Sequence, residues 1–127
     1  MTGGNRMNGK ERLVAALNHR QPDRVPVDFG STAVTGIHAG AVHRLRLALT
    51  GDANWRVKVI EPYQMLGEID EALRERLGVD VIGQTPRKNL FGFEGKGWKP
   101  FSLFDGTPVL VAEDFNTTQD VNGDLLI

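Results

Sequence analysis

The side chains able to do chemistry fall in a few short stretches of this 127-residue chain. Asp28, Ser31 and Thr32 bring a carboxylate and two hydroxyls close together in sequence. Such a set can bind a cationic group, orient a histidine that holds a metal, or cap a turn by accepting from backbone amides. Gln84, followed by Thr85, offers neutral hydrogen bonds to a ligand, or to a turn ahead of Pro86. Gln64 follows Glu61 and Tyr63 and could face a ligand, while Glu61 also suits the first turn of a helix. His38 could reach a ligand or lie in the first turn of a helix. His43 is five residues further on and falls on a different helical face, so the two are not an i, i+4 metal pair. The chain has no cysteine, which removes thiolate nucleophiles, disulfides and every Cys-based zinc site, and no metal ligand can be named. The glycines from Gly92 to Gly97 lack the spacing of a phosphate loop. Asp120 to Asp124 lacks the later bidentate Glu of a calcium loop and reads as a hairpin turn.

These residues need elements to position them. Asn8 and Glu11 form an Asn-x-x-Glu capping pattern that opens a helix, with Leu13, Val14 and Leu17 as its apolar stripe, and Gln21-Pro22 ends it. Val25, Val27 and Phe29 then alternate, which predicts a strand over Arg24 to Phe29, with Pro26 interrupting pairing on one side. Asp28, Ser31 and Thr32 would sit at its end. Ile37, Ala41, Val42, Leu45, Ala48 and Leu49 recur at helical spacing up to Thr50-Gly51. A short strand over Val57 to Ile60 leads to Glu61-Pro62, where the spacing of Met65, Leu66, Ile69, Leu73 and Leu77 predicts a third helix closed by Gly78. Val79, Val81 and Ile82 read as a second buried strand, parallel to the first across a helical crossover. Gln84 would follow it.

From Phe91 the pattern changes to short aromatic and β-branched runs with turns at Asp105-Gly106 and Asn122-Gly123. This predicts a β-meander with strands near 98–104, 107–112, 116–120 and 124–127. The chain therefore reads as one α/β segment, with a helix and strand part over residues 1–90 and hairpins over 91–127.

Composition narrows the function. Fifteen Lys and Arg against 16 Asp and Glu give a formal charge of −1, so no global field draws nucleic acid or anionic lipid. The longest apolar run, Leu13 to Leu17, is far short of the roughly 20 residues of a membrane helix. Met1 to Lys10 is polar and Gly-rich, without the pattern of a secretory signal, and with no cysteine the expected compartment is the cytoplasm.

The stretch from Lys10 to Gly30, with its Pro22-Asp23-Arg24-Val25-Pro26 entry into the first strand, resembles the opening of the uroporphyrinogen decarboxylase-like superfamily. Leu73-Arg-Glu-Arg-Leu-Gly-Val-Asp-Val81 resembles the helix of the same group that leads to its second barrel strand. Trp98-Lys-Pro-Phe101 and Phe104-Asp-Gly-Thr107 resemble a β-insertion of its divergent members. The resemblance implies the N-terminal portion of a (β/α)8 TIM-barrel-type fold, with the meander as an insertion, and a chain inactive alone because a barrel needs roughly 250 residues. It also implies a substrate-binding mouth at Asp28, Ser31, Thr32, His38, Gln64 and Gln84. Decarboxylases of the group carry an Arg-rich stretch after the first strand to grip substrate carboxylates. Here Gly30 to Gly36 contains no Arg, and Gly83-Gln84-Thr85 stands where they place an Asp. The resemblance therefore points to the branch of corrinoid-dependent methyltransferases, whose partners are a small-molecule substrate and a corrinoid protein, and whose zinc is held by His and Cys of later strands. Uroporphyrinogen decarboxylation, or a small non-catalytic binding module with barrel-derived sequence, are the alternatives. An open barrel sheet would also leave an unpaired edge that favours a homo-oligomer.

Overall fold

The structure is a computed structural model that describes residues 6–127; the first residues of the polar stretch over Met1 to Lys10 lie outside it. In chain order the elements are α1 (Gly9–Leu17), α2 (Ala39–Thr50), β1 (Val57–Glu61), β2 (Leu66–Gly67), α3 (Glu71–Leu77), β3 (Lys99–Ser102), β4 (Pro108–Val111), β5 (Thr118–Gln119) and β6 (Leu125–Leu126). They fall into two compact units. One comprises the described residues of Met1–Gly36 with Ile69–Thr85, the other Ile37–Glu68 with Pro86–Ile127.

In the first unit, α1 starts where its capping pattern places it. Asn8 Oδ1 accepts from the Glu11 amide and the Glu11 carboxylate accepts from the Asn8 amide, both at 2.9 Å. Two free amides of the first turn are thereby satisfied. Asp70 caps α3 by accepting from the Leu73 amide at 2.9 Å, and Gly78, at φ 65°, ends it in the left-handed conformation that glycine adopts without strain.

The segments 24–29 and 79–82, expected as the first two barrel strands, form no strand. The Asp80 amide donates to the Val27 carbonyl at 2.8 Å, and Gly83 lies directly against the Ser31 backbone, so the two segments lie side by side and run in the same direction. The ladder stops there for two reasons. Pro26 has no amide to contribute, and the Val27 amide donates to the Asp80 carboxylate at 2.9 Å instead of to a carbonyl.

The second unit contains the sheet. Its strand order is β2-β1-β4-β3, with β1 antiparallel to β2, parallel to β4, and β4 antiparallel to β3. Val57, Val59, Val109 and Val111 alternate into the core, where α2 adds Ala39 and Val42. The helix approaches closely at Gly67: a Cβ there would lie 2.8 Å from Val42 Cγ2 and 2.9 Å from the Ala39 Cα. α2 ends at Gly51, with φ 71°. β5 and β6 form a separate antiparallel hairpin.

This arrangement corrects the expected fold. The chain forms three helices, a four-stranded mixed sheet and a hairpin, and not the N-terminal portion of a TIM barrel. The parallel pair is β1 with β4, which places half of the expected insertion inside the one principal sheet. The third helix also begins later than its apolar spacing predicts. The Glu61 carboxylate accepts from the amides of Tyr63 at 3.0 Å and Gln64 at 2.7 Å, and Met65 at φ 55° turns the chain back into β2. Leu66, read as a helical position, is a buried strand residue.

Candidate functional site

In the first unit the densest polar constellation is a cluster of two arginines and two aspartates. Arg12 sits in the second turn of α1 with its side chain buried. Its Nε donates to Asp23 Oδ1 at 2.7 Å and its Nη2 to Asp23 Oδ2 at 3.0 Å, a bidentate grip, while Nη1 donates to Asp80. Nη2 also donates to the Met7 carbonyl at 2.5 Å. Arg24 reaches the other side of Asp80, at 2.9 and 3.0 Å, and donates to the Gly78 carbonyl at 2.9 Å. Asp80 is as buried as Arg12, whereas Arg24 is 41% exposed.

The electrostatics follow from these contacts. The Arg12 hydrogen bond holds the Asp23 carboxyl down to about 2, against the opposing effect of burial. Burial raises the Asp80 carboxyl, and the Val27 amide, Arg24 and Arg12 outweigh it, leaving Asp80 below its ordinary value. Both carboxylates stay ionised and fully engaged. The cluster is neutral in sum and offers no free base, so its chemistry is that of a clamp: it ties the start of α1, the extended segment after Pro22 and the exit of α3 to one point.

Beyond the clamp, the chain turns at Asp28. The Asp28 carboxylate accepts from the Ser31 hydroxyl at 2.6 Å, from the Ser31 amide at 3.3 Å and from the Thr35 hydroxyl at 3.2 Å. Thr32 joins through its amide, which donates to Thr35 Oγ1 at 3.3 Å. The structure thus brings together Asp28, Ser31 and Thr32, with Thr35 as a member the sequence reading did not name. Gln84 is exposed and follows Gly83, which packs on the Ser31 backbone. The carboxylate spends its acceptors on its own loop, so it acts as a turn cap in this structure.

His38 and Gln64 belong to the second unit. Gln64 is exposed and its amide is tied to Glu61. His38 caps α2, its Nδ1 accepting from the Gly40 amide at 3.2 Å. It also lines an apolar cleft of about 220 Å³ together with Met65, Phe101, Leu103, Phe115 and Thr117. Phe101 and Phe115 meet edge to face with centroids 5.4 Å apart, which fixes one wall. Met65 keeps its left-handed conformation through its carbonyl, which accepts from the Ala39 amide at 2.8 Å.

Comparison with protein-family models, curated proteins and solved structures finds no match. Among the described residues, no group of three or more His, Asp or Glu side chains could hold a metal ion. The zinc implied by the resemblance therefore finds no ligand set there. Among the same residues no helix is long and apolar enough to cross a membrane.

Proposed function

We propose that this chain is an N-terminal segment of a uroporphyrinogen decarboxylase-like superfamily protein, of the branch resembling corrinoid-dependent methyltransferases, and that it has no turnover by itself. The observation that carries the reading is the convergence of Arg12, Asp23, Arg24 and Asp80 on one clamp. Arg12, Asp23 and Arg24 come from the stretch that resembles the superfamily's opening, and Asp80 from the stretch that resembles its approach to a second strand. Two separate resemblances thus meet in a single set of contacts. The clamp places the Asp28 loop immediately after the segment it holds, and Asp28, Ser31 and Thr32 are the residues of that loop proposed to meet a small-molecule substrate.

Zinc and the corrinoid methyl carrier would be held outside the described residues, the carrier by a corrinoid protein, and the compartment is the cytoplasm. The decarboxylase branch is less well supported. No Arg lies between Gly30 and Gly36, and Arg12 and Arg24 are committed to aspartates. The test is the full 127-residue chain supplied with zinc and assayed for methyl transfer from a methylated corrinoid to a thiol, and for decarboxylation of a porphyrinogen. Neither reaction is expected, nor is specific micromolar binding of a porphyrinogen analogue by calorimetry. Turnover in either assay would overturn the reading.

A further inference from the structure

We propose that the cleft of the second unit is a binding site for a small neutral molecule built on one apolar ring and carrying a single carbonyl-type hydrogen-bond acceptor. His38 is also one of the residues of the mouth that the resemblance implies, but the inference does not depend on that reading: it is argued from the lining of the cleft and the hydrogen bonds of His38. Size comes first. At about 220 Å³ the cleft is smaller than the roughly 300–1,000 Å³ of sites for drug-sized ligands, which limits the occupant to about one ring. Its walls are set by Met65, Phe101, Leu103 and Phe115, so most of the contact is apolar.

Two polar groups among these walls define the rest of the ligand. The Gly40 amide donates to His38 Nδ1, so this nitrogen acts as the acceptor and the ring presents its N–H at Nε2. That Nε2–H has no hydrogen-bond partner among the described residues, and the Thr117 hydroxyl also makes no hydrogen bond among them. Both residues line the cleft, and a ligand carbonyl there is the group that these two donors would satisfy. An anion gains less, because Arg44, whose guanidinium shares the space beside Gly40 with His38 and Leu103, is paired with Asp105 at 3.6 Å.

The experiment is a titration of the full chain, followed by NMR at the Met65 methyl and the Thr117 amide, with acetophenone, ethylbenzene and benzoate as probes. Acetophenone is expected to give saturable shifts at both positions, with ethylbenzene and benzoate at least about tenfold weaker, since each leaves the donors unmatched or adds an uncompensated charge. His38→Asp keeps a capping oxygen for α2 and removes the Nε2 donor. It should raise the acetophenone dissociation constant about tenfold while the helical signal persists. Should that variant lose α2, Thr117→Val decides, with an expected rise of about threefold. Absence of saturable shifts with acetophenone, equal affinity for ethylbenzene, or an unchanged constant in the deciding variant would overturn the proposal.

Discussion

A carboxylate between Val79 and Val81 has to be enclosed or expelled, and in this chain Asp80 is enclosed by two guanidinium groups and the Val27 amide. Replacing it isolates the test of that enclosure. Asp80→Asn keeps the shape but leaves Arg12 buried with Asp23 as its one carboxylate partner, and breaking a buried pair from one side costs about 3 kcal/mol. Arg24→Ala should cost no more than about 1 kcal/mol, because Arg24 is 41% exposed and water replaces much of what is lost. Denaturant midpoints measure both; equal losses would mean that Arg24, and not Arg12, anchors Asp80. Part of this site was legible from types and spacing. Asp28, Ser31 and Thr32 do gather in one loop, since their closeness in sequence already limits where they can go. The clamp was not legible as a site: a charged residue inside an apolar strand pattern signals a partner, but the partner lies on α1, 68 residues away, and spacing alone does not name it.

At the scale of elements, local chemistry was readable and non-local pairing only in part: segments 24–29 and 79–82 do run side by side, without forming strands, while the pairing of the sheet was not readable. Asn8 with Glu11 and Gly51 with its left-handed φ fix the ends of α1 and α2 within a few residues of sequence. Apolar spacing extends the third helix too far because Leu66 fits the apolar period of α3, while the Glu61 side chain and the Met65 conformation that break it leave no periodic trace. The pairing of Val57 with Val109 depends on two distant β-branched runs finding each other, and several such runs compete in this chain. What settles β2 under α2 is a small residue. Gly67→Ala would put a methyl 2.7 Å from Val57 Cγ1 and 2.9 Å from the Ala39 Cα, and backbone cannot yield as a flexible side-chain tip can. The expected loss is about 1–3 kcal/mol. Gly95→Ala is the control: its new methyl would lie 3.6 Å from the Trp98 ring, an ordinary contact, and should change stability by less than about 0.5 kcal/mol. Chemical denaturation of both variants checks the pair, and a tolerant Gly67 would mean that α2 does not pack on β2 as closely as described.

At the scale of the whole molecule, the chain passes between the two units three times, after Gly36, Glu68 and Thr85, so neither unit is one continuous stretch of sequence. Their acid responses should nevertheless differ. In the first unit the carboxyls of Asp23, at about 2, and Asp80 lie below the value of 3.8 they take in an open chain. A folded-state value depressed in this way gives stability that is present above the open-chain value and is lost as the pH falls from about 4 towards 2. In the second unit the depressed carboxyls are Asp105 and Asp120, held mainly by hydrogen bonds from Thr107 and from the Asp124 amide, each in a hairpin turn outside the sheet core. Protonating them loosens turns without removing a buried partner. Both tryptophans and the single tyrosine lie in the second unit, so intrinsic fluorescence reports on that unit, while α1 and α3 contribute to the far-ultraviolet dichroism from the first. An acid titration should therefore show part of the helical signal falling between about pH 4 and 2 ahead of the fluorescence change. Asp80→Asn should bring that part of the loss to higher pH and leave the fluorescence transition in place. Coincident transitions in the unmodified chain, unchanged by Asp80→Asn, would show that the two units unfold together and that the clamp does not govern the acid stability of the first.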